Sequence, residues 1–297
     1  MELEQAMNAR QNNNEHTSKL FMCPPDYFEV TYQINPWMTP DGWNENREKL
    51  TAQAHEEWNN LKATYERLGH EVVTIDAAQG LPDMVFTANS GIALNGTVLL
   101  AHFRHPQRQG EEPHYARFFE GLKEKGLVKN IVAPKEGIIF EGAGDAVWDP
   151  YRKHYWVGFS QRSDRSSVDM VAEVFSQKAI ALEMVSEQFY HLDVALAPLS
   201  RGHMIYIADA FNDKGLAALK EHAGGDEFLV PATAADAEGF AVNAVNLGDD
   251  IITAYCSDDL RGRLEALGYH VHVCPLETFK MSGGGAFCLT LKLDYQS

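Results

Sequence analysis

Five times along this 297-residue chain a helical stretch leads into one strand and then into a pair of strands, at a spacing of about 50 residues. The first round has a helix over 45–68, a strand over 70–75 and a pair over 83–94 and 97–103. The helices of the next four rounds fall at 114–125, 167–176, 213–222 and 258–267, each followed by a strand and, in all but the last, by a pair. In the first helix Leu50, Ala54, Trp58, Leu61, Tyr65 and Leu68 recur at spacings of three and four, one apolar stripe, and Gly69 is a C-terminal stop. Asn95-Gly96 is a hairpin turn signal. The fifth round has a strand over 286–293 with no partner after it, and the segment 21–33 could supply that partner and close a ring. The pattern predicts an α/β chain, a five-bladed α/β propeller with pseudo-fivefold symmetry. A closed ring leaves no exposed sheet edge. An ordinary open α/β sheet is the alternative, but it would not end each unit in an antiparallel hairpin. With no low-complexity linker, one domain is expected over 19–297, preceded by a loose tail over 1–18.

Charge narrows the functions. A formal net charge of −17 argues against nucleic acid, whose phosphates need a basic face, and against anionic membranes. It suits a cationic small molecule. No apolar run is long enough for a membrane span, and the polar start has no signal-peptide core. The cysteines Cys23, Cys256, Cys274 and Cys288 form no CxxC pair and fit no zinc spacing, so the expectation is reduced thiols, a cytoplasmic setting, no metal and no cofactor. Gly142 and Gly144 do not make a phosphate loop, because no lysine and no following helix are in place. Homo-oligomerisation is left open.

The start of each third element carries chemistry: Asp83 with Asn89, Glu141 with Asp145, His191 with Asp193, then Asn243, then Cys288. In a fivefold ring such equivalent positions face one central channel. Cys288 ends a glycine run, Ser282 to Cys288, where a backbone or ligand can come close. A thiolate there can attack an electrophilic carbon; His191 can move protons; Glu141 can orient the imidazole. The surplus acids, Asp193 and Asp83, suit a planar cation such as a guanidinium. Arg104, Arg108 and Arg162 could hold a substrate carboxylate. Each residue also has a bland reading: Cys288 as a buried small hydrophobe, Asp83 as a turn residue after Pro82, the arginines as solvated loops.

In chain order, the segments MCPPDYF, INPWM, LPDMVFTANSG, FRHPQRQGEEP, FEGAGDA, FYHLDVAL and GGGAFCLTLKL span about Phe21 to Leu293. Together they resemble the guanidine-modifying enzymes of the pentein fold: arginine deiminases, dimethylargininases, amidinotransferases and arginine dihydrolases. The likeness is greatest to the arginine dihydrolases and extends to the dimethylargininases. It implies Cys288 as nucleophile and His191 as general acid and base. It implies Glu141 and Asp193 on guanidinium nitrogens or steering the histidine, Arg108 and Arg162 on the α-carboxylate, and Asn35 and Asn89 lining the pocket. Arginine deiminases resemble this pattern with an aspartate where Asn89 stands. Ser282 stands where a similar enzyme has alanine. The implied partner is arginine or a methylated arginine, and the implied reaction is hydrolysis through a cysteine-linked thiouronium. An amidinotransferase, or a non-catalytic binding protein on the same fold, is the alternative. Cyanobacterial enzymes of the dihydrolase type carry a further C-terminal region that acts on ornithine; this sequence has the hydrolase module.

Overall fold

A computed structural model describes residues 17–297. Its described residues form five three-stranded sheets. β1 (Lys19–Met22) and β2 (Glu71–Thr74) belong to one, and β3 (Gly91–Leu94), β4 (Thr97–Leu100) and β5 (Asn130–Val132) make the next. The third is β6 (Ala146–Asp149), β7 (His154–Phe159) and β8 (Ala179–Glu183). The fourth is β9 (Leu196–Pro198), β10 (Met204–Tyr206) and β11 (Leu229–Pro231). The fifth is β12 (Val245–Leu247), β13 (Asp250–Thr253) and β14 (His270–Val273); β15 (Leu291–Lys292) returns to β1.

Every sheet is wired the same way. A middle strand pairs antiparallel with one neighbour and parallel with the other. The parallel neighbour follows a crossover helix, as parallel pairing requires. The five crossover helices are α1 (Arg47–Arg67), α2 (Glu112–Glu124), α3 (Ser167–Phe175), α4 (Asp213–Ala223) and α5 (Asp258–Ala266). α1 buries Ala54, Trp58, Leu61 and Tyr65 from the expected stripe. Asn95 and Gly96 both take positive φ, 54° and 79°, as the tight β3–β4 hairpin demands.

The repeat is therefore real but cut differently from the sequence reading. A sheet takes its hairpin from one unit and its third strand from the next. The closing strand is β1 at Lys19–Met22, with Leu20 opposite Lys292 and Phe21 opposite Leu291. Residues 1–16 of the expected loose tail lie outside the described residues. Ser18 belongs to the fold: it is buried, donates its N–H to His70 Nδ1 and accepts from the Glu71 amide.

The long third-element strands are shorter than expected. Residues 83–90 form two 3-10 turns, Pro82–Val85 and Thr87–Ser90, before β3 begins. Gly142–Gly144 and Leu192–Val194 are matching turns before β6 and β9. Their polar groups bond to neighbouring units rather than to a hairpin partner: Thr87 Oγ1 donates to Phe21 O and Leu289 O, and the Ala88 amide donates to Cys288 O. The turns at 87–90, 142–144 and 192–194 pack on one another in sequence. Among the described residues no helix is long and apolar enough to cross a membrane.

Candidate active site

The loop before Cys288 is held by one amide. Asn243 Oδ1 accepts the N–H groups of Gly285 and Cys288, both at 3.1 Å. Its Nδ2 donates to Cys288 Sγ at 3.1 Å and to Asp193 O at 3.3 Å. The glycines allow the approach: a Cβ on Gly284 would stand 2.3 Å from the Phe86 ring. The Cys288 thiol donates to Asp193 Oδ2 at 3.1 Å. Burial, then the neighbouring Asp193 charge, pushes this thiol well above its ordinary range. At rest it is a protonated thiol, and a cation beside it would be needed to release the proton. Burial also pushes the Asp193 carboxyl up to about 7, against the hydrogen bond from Cys288.

His191 and Glu141 form a second buried group. His191 Nε2 lies 2.8 Å from Glu141 Oε2, which also accepts from Arg162 Nη1 at 2.9 Å. Glu141 Oε1 accepts the Arg104 amide at 3.1 Å. Burial alone would raise the Glu141 carboxyl, but the Arg162 guanidinium and the His191 bond outweigh it and hold it well below the usual range. Asp145 Oδ2 accepts from Ser163 Oγ at 2.6 Å and lies 4.0 Å from His191 Nε2; burial pushes its carboxyl up to about 6. Gly144 leaves room for the cluster, since a Cβ there would stand 2.3 Å from Asn89 Nδ2.

The arginines are already engaged. Arg108 donates through Nε and Nη2 to Glu111 at 2.9 and 2.8 Å, and through Nη1 to Asn89 Oδ1 at 2.8 Å. Arg162 spans Glu141 and the Ile34 carbonyl with its guanidinium 4.8 Å from the Tyr190 ring. Arg104 binds Arg162 O and Asp164. Asp83 Oδ2 accepts from the Tyr32 hydroxyl at 2.8 Å, and its Oδ1 from Ser282 Oγ at 3.4 Å. Burial raises this carboxyl too, with Arg108 opposing.

Seven of the expected residues line one small cavity: Asn35, Asp83, Asn89, Arg108, Arg162 and Ser282, with Cys288. It holds about 10 Å³, the room of roughly one water. Ile34, Asn35, Arg162 and Tyr190 divide it from an outer bowl of about 570 Å³. His191, Glu141, Asp145, Asp193 and Asn243 are not in this lining; Asp193 and Asn243 bond to Cys288, and Glu141 to Arg162 and His191. The sulfur's side-chain partners are Asp193 and Asn243 rather than the imidazole, which bonds to Glu141. Asn243, expected on the substrate, is spent on the nucleophile's loop. Glu111, Tyr32 and Tyr190 escaped the sequence reading. Arg108 and Glu111 are three apart on a helical turn, and that spacing was the available signal for the pair. Among the described residues no three His, Cys, Asp or Glu are grouped to hold a metal.

Known proteins share this arrangement of chain. ArgZ of Synechocystis sp., named a bifunctional arginine dihydrolase/ornithine cyclodeaminase, is 36% identical over 275 residues, which are 93% of this chain and 37% of that protein. The chain thus spans well under half the length of that relative. The N(G),N(G)-dimethylarginine dimethylaminohydrolase of Mycobacterium tuberculosis is 32% identical over 277 residues, 93% of this chain and 86% of that one. A crystal structure of the ArgZ N-terminal domain, a cysteine-to-serine mutant bound to substrate, superposes with a TM-score of 0.85 at 34% identity. It covers 94% of this chain and 99% of that domain. The family model described as N,N dimethylarginine dimethylhydrolase, eukaryotic, matches residues 24–294, from the second residue after β1 to the second after β15, and the chain belongs to that family.

Proposed function

We propose that this chain hydrolyses the guanidino group of L-arginine as an arginine dihydrolase, giving ornithine, two ammonia and carbon dioxide from arginine and two waters. The observation that carries the reading is the Cys288 thiol bonded to Asp193 beside a cavity that also presents Asp83 and the Asn89 amide. The likeness to ArgZ supports it. A guanidinium entering this acid-rich space stabilises a thiolate, and the Sγ proton passes to Asp193 Oδ2. Sγ attacks the guanidinium carbon. Ammonia leaves with a proton from His191, whose ring Glu141 orients through Nε2, and a thiouronium remains. Water attacks with His191 as base, the C–S bond breaks, and a neutral ureido compound forms. A second round on that carbon releases the second ammonia and a carbamate, which loses carbon dioxide to leave ornithine. Arginine reaches this cavity from the outer bowl, past Ile34, Asn35, Arg162 and Tyr190, which line both.

The same reading takes the five sheets as blades of a closed propeller, one catalytic domain over 19–297. The β1–β15 pairing and the packed central turns support it. Four free thiols support a reducing, cytoplasmic setting. A dimethylargininase is the second reading, favoured by the family match and the mycobacterial relative. Incubation with arginine and with dimethylarginine separates the two. Ornithine from arginine is the expected product; dimethylamine from dimethylarginine, with arginine untouched, selects the second reading. Cys288→Ala should lower turnover by roughly a thousandfold or more with the fold retained. Unchanged turnover in that variant would end both readings.

A further inference from the structure

Glu111 is fully buried but is not part of the cavity wall. Its carboxylate takes two parallel bonds from Arg108, at 2.9 and 2.8 Å, and a third from the Tyr115 hydroxyl at 3.2 Å. Such a fork fixes the plane of the guanidinium. Arg108 then meets Asn89 through Nη1 at 2.8 Å. Arginine carries donors only, so the Asn89 atom facing it must be the carbonyl oxygen. On the other side Asn89 Nδ2 faces the Glu141 backbone carbonyl at 3.3 Å, which can only accept. The amide is thus oriented from both ends. One Nδ2 hydrogen is left for the cavity that Asn89 lines. A guanidinium offers that hydrogen no acceptor, whereas the oxygen of a ureido group does.

We propose that Glu111 is a positioning residue: by clamping Arg108 it holds the Asn89 amide with an N–H toward the thiol cavity, and so determines whether the ureido intermediate is retained for the second hydrolysis. The inference rests on the dihydrolase reading. Without the Glu111 charge, Arg108 remains a buried cation whose next acid is Asp83, with Oδ2 4.0 Å from Nε. Arg108 turns to Asp83, its Nη1 leaves Asn89 Oδ1, and the amide is free to rotate. Asp83 in turn loses its bond from the Tyr32 hydroxyl.

The test compares Glu111→Gln and Glu111→Asp with the parent in arginine turnover, measuring ornithine and citrulline separately. The Asn89 side-chain amide is followed by NMR, its signal assigned through Asn89→Ser. Glu111→Gln should lower kcat for ornithine by roughly tenfold to a hundredfold, the scale of a misplacement of about an ångström. Its KM for arginine should change by less than kcat falls, because Cys288, Asp193 and the His191–Glu141 pair keep their contacts while Arg108 and Asp83 shift. Citrulline should appear as a released product, the Asn89 signal should move, and Glu111→Asp should recover part of the parental ratio. A folded variant with parental ornithine yield and an unmoved Asn89 signal overturns the proposal. If Glu111→Gln does not fold, Glu111→Asp decides by the same two readouts. If the parent itself makes no ornithine, the dihydrolase reading falls. The Asn89 signal then still judges the positioning role: displaced in the variants it upholds the clamp, unmoved it refutes it.

Discussion

The Asp193 carboxyl has one oxygen on the Cys288 sulfur and another without a partner among the described residues. Its folded-state pKa, about 7, lies above the ordinary 3.8. The folded protein therefore binds that proton more tightly than the unfolded chain, and stability is lost as pH rises from about 4 to about 7. Asp193→Asn keeps the shape and removes the charge. It should gain on the order of 1–4 kcal/mol at pH 8, gain little at pH 4, and lose turnover. Urea titrations at both pH values check the sign. Cys288, His191 and Glu141 stand out in the sequence as candidates because their side chains announce chemistry and recur at matching points of the repeat. Glu111 was not, because in a segment as charged as FRHPQRQGEEP an acid reads as solvated surface. The bonds from Arg108, itself over the Phe103 ring, and from Tyr115 hold that acid fully buried.

The 3-10 turns are what carry the site residues inward. Alternating residues over 83–94 and 191–199 look like continuous strands, and the sequence reading took them so. Periodicity registers which residues are buried, but it does not tell whether a backbone pairs within its own sheet or with the next unit. At these turns the second case holds, and the side chains of Asp83, Asn89 and Asp193 end up among residues from other units. The glycine run before Cys288 serves the same placement. Gly284→Ala should cost about 1–3 kcal/mol, because the new methyl meets the Phe86 ring, an overpacking error at the wall of the cavity. It should also slow alkylation of Cys288 and lower turnover, since the loop that carries the sulfur must move. Denaturation midpoints and iodoacetamide labelling measure the two effects.

For the molecule as a whole, the fivefold repeat was readable from helix and strand periodicity, but its phase was not. Each sheet borrows its third strand from the following unit, and no local signal marks that exchange. The first strand shows its consequence: β1 is the middle strand of its sheet, between β15 and β2. Phe21 in β1 is fully buried and stacked on Phe118 at 4.2 Å. Phe21→Ala should therefore cost about 3–5 kcal/mol, read from a chemical denaturation curve. The tie between the ends reaches further: the Lys292 ammonium bonds the Ser18 hydroxyl across 274 residues of chain. Translation at about 5–20 residues per second leaves the first strand waiting on the order of tens of seconds for its mate. Until Cys288 and β15 have been made, β1 lacks its antiparallel neighbour and the acids and imidazole of the site have no sulfur to serve.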